Sequence, residues 1–304
     1  MGIVMRGPRP APLEEQLAPE ALPTLANLAK GRAAESTSSL IRKTPINPTY
    51  VAWIVVPHLL GLGGLALPWS TRDGWVALAI YLWMGFSVTL YLHRYLSHRG
   101  FELREPLGFL FAMGSAVGLS GDPIGWVSHH RHHHKASDTE NDLHSPRHGL
   151  LHAHMKWFLR EPADLDDAIR PLAEDCRRVP YLAWLEKPGY FMIPHVAVAV
   201  ALYAWGGLPL MLHGLYLPWI VMAHHTYAIN SLTHKRWFGY RRFETSDDSV
   251  NAPLLLFSLG EGWHNNHHAH PRRASHGLAW YEIDATKMLL WVLERVRLVK
   301  NVHW

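Results

Sequence analysis

Residues 188–234 read PGYFMIPHVAVAVALYAWGGLPLMLHGLYLPWIVMAHHTYAINSLTH, with no Asp, Glu, Lys or Arg. About twenty apolar residues cross the hydrocarbon core of a bilayer, because ~1.5 Å of rise per residue must cover ~30 Å. The stretch is long enough for two spans with a break at Gly206-Gly207-Leu208-Pro209, and too long without charge for the core helix of a soluble protein. Residues 44–71 and 74–92 also lack all four charged types, and the breakers Pro68 and Gly74 mark the turn between them. Four spans follow, at about 50–67, 75–92, 190–205 and 209–228. Tyr50, Trp53, Trp69, Trp75, Tyr190, Trp205 and Trp219 lie mostly near their ends, as an interfacial belt does. Residues 106–121 are apolar but shorter and glycine-rich, and read as a half-buried or re-entrant helix. A full crossing there would put the two later histidine clusters on opposite sides of the membrane.

Composition agrees with an ordered membrane protein. Of 304 residues 48% are apolar and 18% charged, which excludes wholesale disorder. The single cysteine, Cys176, excludes an intramolecular disulfide framework. An excess of 29 Lys+Arg over 25 Asp+Glu is too mild to argue for nucleic acid. Of the 29 basic residues only Arg72 falls in a loop on the far side. Arg42, Lys43, Arg94, Arg99, Lys187, Lys235 and Arg236 flank the spans and mark the heavy face as cytoplasmic. The expected architecture is an all-α integral membrane protein: four transmembrane helices with a cytoplasmic helical cap holding a histidine-rich dimetal site. Residues 1–44 form a polar, unstructured cytoplasmic tail without the apolar core of a signal peptide. Residues 45–304 form one membrane domain, its cap made of 93–189 and 229–304, with both termini cytoplasmic. Residues 281–300 read as an amphipathic helix on the protein or membrane surface.

The 23 histidines are clustered. His93 and His98 close the second span; His129, His130, His132, His133 and His134 lie in the central cap segment. Asn230 and His234 close the fourth span, and His264, His267 and His268 follow. On an α-helix positions i, i+3 and i+4 share one face, so H-x-x-H-H aims three imidazoles at one region, near enough to serve two adjacent ions. At this histidine content such a pattern is expected roughly 0.1 times by chance, and it occurs in two separated places. His93 and His98, five apart, converge only if the helix ends or distorts between them. The middle cluster has two registers, His129/His132/His133 and His130/His133/His134, which spacing does not separate. Two, three, one and three histidines make nine ligands, beyond a four-coordinate zinc site and suited to two ions of high coordination number. His58, His195 and His213 read as packing residues within spans, and His144, His148, His152, His154, His270 and His276 as surface residues or supports of the ligands.

These residues resemble the membrane-bound acyl-lipid and acyl-CoA desaturases of the stearoyl-CoA Δ9 type. The likeness rests on His93-Arg-Tyr-Leu-Ser-His98-Arg99, His130-Arg-His-His133-His134-Lys135 and Gly260-Glu-Gly-Trp-His264-Asn-Asn-His267-His268. Asn230-Ser231 with His234, residues 137–146, 244–248 and 276–284 extend it over about 45–300. The resemblance selects the register His130, His133, His134. It implies two Fe ions, one held by His93, His98 and part of the middle box. The other takes the rest of that box with His234, His264, His267 and His268, and Asn230 holds a metal-bound water. It implies O2 as co-substrate and removal of hydrogen from two neighbouring methylenes of an acyl chain, leaving a cis double bond and water. No haem or flavin motif is visible, so electrons come from an external donor of ferredoxin or cytochrome b5 type with its reductase. Ser128-His129 stand where animal acyl-CoA members carry Arg-Asp, a pattern like that of bacterial members in an inner membrane. The carrier stays open among acyl-CoA, acyl-ACP and intact membrane lipid. A hydroxylase or other oxygenase of alkyl or lipid chains shares the same metal chemistry. A histidine-rich metal transporter would need ligands at the bilayer midplane, where His58, His195 and His213 are the candidates.

Overall fold

The computed structural model describes residues 36–160 and 163–304. Among the described residues the architecture is mainly helical, and a short antiparallel pair, Glu102–Leu103 with Val299–Lys300, ties residues 299–300 to the segment after His98. Most of the sequence-derived tail, residues 1–35, lies outside the described residues. Its last part departs from the expectation of an unstructured segment: Thr37–Lys43 is a helix (α1) capped by the Ser36 hydroxyl. The reason is tertiary, since Ile41 is buried with Leu143, Leu165 and Ile169.

Helix α2, Pro48–Gly64, starts at an Asn47 cap with proline in the first turn, where its missing N–H is not needed. After a short turn, Ser70 and Asp73 form a reciprocal capping box that opens α3, Thr71–Phe86. α3 runs on without a break as a π-helix, Ser87–Ser97. The short apolar helix α4, Leu107–Val117, stops inside the protein. Its last carbonyls would be orphaned there, but His195 donates Nδ1–H to the Val117 oxygen at 2.7 Å and Trp219 donates to that of Gly118 at 2.9 Å. Helix α5, Pro123–Ala136, carries the middle histidine box.

Helix α6, Met192–Met211, leads through the π-turn Leu212–Tyr216 into α7, Leu217–Leu232. The backbone is non-helical at Gly206 and Gly207, and Gly207 takes a φ of +70° that favours glycine. The chain folds back there. The rings of His195 and Tyr216 lie 5.4 Å apart, whereas 21 residues of straight helix would separate them by roughly 30 Å. Two helical stretches, Thr71–Ser97 and Met192–Leu232, are long and apolar enough to cross a membrane. Much of their apolar surface is uncovered by protein, Val196, Val200 and Tyr203 being over half exposed. At 17 residues, α2 is a little short by the same measure. The helix Pro48–Gly64 falls on the stretch 50–67 read from sequence, and the helical stretch Thr71–Ser97 runs past 75–92 at both ends.

The main core joins these helices to the cap through Leu90, Tyr91, Leu92, Ala116, Ile124 and Leu182. Helices α8, His264–Ala269, and α9, Ala285–Arg295, complete the cap; α9 is shorter than the expected 281–300 because Asp284 caps its start.

Candidate metal centre

The nine histidines singled out from sequence come together in two groups. His93, His98, His130, His134 and His267 form one, and His133, His234, His264 and His268 the other, with the ligand atoms of each within 4.8 Å of one another. Local geometry explains the partition. In the π-helix, hydrogen bonds run from residue i to i+5, as from His98 N–H to the His93 carbonyl at 3.2 Å. That distortion puts His93 and His98 on one face, their rings 5.1 Å apart. On α5, His130 and His134 face the first group and His133, a fraction of a turn away, faces the second. On α8 the split is reversed: His267 goes to the first group, His264 and His268 to the second. This differs from the ligand division implied by the family likeness, which sent His267 to the second ion. His267 Nε2 is 3.0 Å from His93 Nε2 and 2.9 Å from His134 Nε2, so the turn of α8 decides the matter. His129 and His132 belong to neither group, and His129 is bonded to the Gly125 carbonyl. Asn230 lines the cleft beside His133 and His264.

Four buried carboxylates hold these rings from behind: Glu261 on His93 Nδ1 at 2.5 Å, Asp142 on His133 Nδ1 at 3.1 Å, Asp138 on His234 Nδ1 at 2.7 Å and Asp247 on His268 Nδ1 at 2.7 Å. Burial pushes their pKa values up, but the facing imidazoles outweigh it and all four stay well below the usual carboxylate range. Ionised carboxylates only accept, so each Nδ1 carries the hydrogen and each Nε2 presents a lone pair. Sequence reading did not assign these four residues, although each stands inside a stretch that carried the family likeness.

This donor set fits a bound metal. His264 Nε2 lies 3.1 Å from both His234 Nε2 and His268 Nε2, two lone pairs of which its single N–H can serve only one. His133 Nε2 has no hydrogen-bond partner at all. A cation between such lone pairs relieves the conflict. Burial and neighbouring imidazoles lower His98, His130, His134, His264 and His267 well below the normal histidine pKa, which keeps them neutral and able to ligate.

Other histidines are accounted for differently. His195 caps α4; His213 is buried between Asp73 and the Gly64 carbonyl; His58 bonds the Ile54 carbonyl and His224. His144 stacks on His133 at 4.4 Å, and His276 sits 3.5 Å from Glu261. The cleft beside the two groups is lined by Val88, Trp126, Met222, Ile229 and Leu259 with the polar Thr89, Thr226 and Asn230.

Two helices long and apolar enough to cross a membrane thus accompany nine converging imidazoles that could hold metal ions. Comparison with known proteins agrees. The family model for fatty acid desaturase matches residues 73–300. A probable lipid desaturase of the chloroplast from Arabidopsis thaliana is 38% identical over 234 residues, 75% of this chain but only 64% of that relative. An icosanoyl-CoA 5-desaturase from Limnanthes douglasii is 37% identical, covering 83% of this chain and 70% of its own. An sn-2 palmitoyl-lipid 9-desaturase from Nostoc sp. (strain 36) is 35% identical over 84% of this chain and 92% of its own. The chain belongs to the fatty acid desaturase family.

Proposed function

We propose that this protein introduces a cis double bond into a fatty acyl chain at a di-iron centre held by the nine histidines. The observation that carries the reading is the convergence of nine imidazoles, six of them buried and three half-buried, from four separate chain segments, beside a cleft with apolar walls. His93, His98, His130, His134 and His267 would hold one iron; His133, His234, His264 and His268 the other, with Asn230 placed to hold a water. Bound there, the iron pair supplies O2-dependent oxidation of unactivated C–H bonds, which no side-chain acid or base can attack. In the balance, two hydrogens from neighbouring methylenes, two electrons from an external donor and two protons reduce O2 to two waters.

The protein's own contribution is positional. Glu261, Asp138, Asp142 and Asp247 fix the ring tautomers, and Val88, Trp126, Met222, Ile229 and Leu259 keep the acyl chain in a dry channel past the histidines. Position of attack then follows from the distance between that point and the anchored head group. The related Nostoc and Limnanthes proteins are named for positions 9 and 5 and for lipid and CoA carriers; a Δ9-like outcome is the reading offered here. The helices α2, α3, α6 and α7 would cross the membrane as four spans, with the cap and the site on the cytoplasmic side. Ferredoxin or cytochrome b5 with a reductase would supply electrons.

Gas chromatography–mass spectrometry of fatty acids from cells expressing the chain with a ferredoxin system tests this. A new cis-monoene that disappears in His264→Ala is expected. An oxygenated chain in its place would move the assignment to a hydroxylase.

A further inference from the structure

The short helix Pro253–Ser258 reaches the cleft at its last residue and faces two ways. On the inside, Ser258 and the following Leu259 line the cleft with Glu261 and His264. On the outside, Leu254, Leu256 and Phe257 are 79%, 52% and 73% exposed. The segment meets the long apolar helices around Phe257: the Tyr81 hydroxyl of α3 donates to the Phe257 carbonyl at 2.5 Å, and the His225 ring of α7 stacks on the Phe257 ring. One turn along the same faces of those helices, Leu78 and Val221 are 45% and 48% exposed. The outer face of the segment therefore continues the apolar surface that α3 and α7 leave uncovered.

The joint behind it is fixed. Leu259 takes a left-handed φ of +58° and Gly260 follows at +111°, and the Leu259 carbonyl accepts from both the backbone and the hydroxyl of Thr286. A leucine keeps such a conformation only where its surroundings over-determine it. Inside the short helix Leu255 has already left helical geometry. Residues 253–259 carry no charged side chain, which suits acyl chains and not the polar rim of a protein partner.

We propose that Pro253–Ser258 is a lateral gate, anchored at Leu259, through which the acyl chain enters the cleft from the bilayer and not from water. The inference rests on the acyl-desaturase reading above, and its test separates the two. A bimane fluorophore is placed on Phe257→Cys and, as control, on Glu244→Cys, which is on the cap with a 95% exposed side chain; each protein is reconstituted in phosphatidylcholine vesicles brominated along the acyl chains. Quenching by more than half at 257, with none at 244, is expected; no quenching at 257, or equal quenching at both, overturns the gate. With acyl lipid in vesicles, Phe257→Lys should raise KM several-fold at unchanged kcat and unchanged bound metal. An unchanged KM, or loss of metal, contradicts the gate. A wild-type protein that makes no unsaturated product would overturn the desaturase reading alone, because quenching reads membrane contact without turnover.

Discussion

Asp247 accepts from His268 Nδ1, and through that contact it decides which ring nitrogen faces the site. Removing such a carboxylate typically weakens a metal site ~10–100-fold. Asp247→Asn is therefore expected to lower metal affinity by that order, read by chelator competition on purified protein, with the chain still inserted in membranes. Glu261→Gln should do the same from the His93 side. Behind the segments that carry His98 and His130, Asp175 is bound by Arg131 and Arg99. Burial raises its pKa, but the two guanidinium groups win and hold it at about 2, below the ordinary 3.8. A depressed carboxylate gives stability that is complete above its unfolded pKa and is lost as pH falls through the folded one. Asp175→Asn should then be less stable than wild type by ~2 kcal/mol at neutral pH, with the gap closing between pH 4 and 2 in thermal unfolding. A gap that persists to the lowest pH would contradict the assignment.

Among the elements, the end of α3 and α5 are held by one side chain. Arg131, buried between the ligands of the middle box, donates to the carbonyls of Leu96, Ser97 and Leu172 as well as to Asp175. It ties the last turn of the π-helix to α5 and so sets His98 against His130. Arg131→Met would leave three carbonyls without a partner, at ~1–3 kcal/mol each where burial is complete. A lowered melting temperature is expected, with metal lost from the His93 group before the His133 group; equal loss from both would argue against a local clamp. The periodicity of the boxes was readable because H-x-x-H-H is a local helical fact, and the need for a distorted helix between His93 and His98 followed from the same geometry. What was not readable depends on contacts between distant residues. Glu261 lies 168 positions from His93, Asp138 lies 96 from His234, and neither partnership leaves a periodic trace. The allotment of His267 and the folding of Thr37–Lys43 onto Leu143 and Ile169 are of the same kind.

For the whole molecule, the account requires the turn after α2 and the cap to lie on opposite sides of a membrane. Cys176 does not report on this: it is 1% exposed and burial pushes its thiol up to about 11, so an impermeant maleimide should leave the native protein unlabelled from either side. Ala66→Cys, exposed before the Ser70 cap, should label in intact cells, and Glu244→Cys only after the membrane is opened. Labelling of both from outside would overturn the four-span reading. The charge-free runs made the long apolar helices legible, and the break at Gly206-Gly207 appears where the sequence placed it. The central claim is that two ions are held by the nine imidazoles and that both are needed. Apoprotein titrated with Fe2+ under a reductant system and O2 tests it directly, with iron per chain and acyl product read from the same samples. Product should rise steeply only as the second equivalent binds and saturate at two irons per chain; full activity at one iron, or with none, would contradict the account.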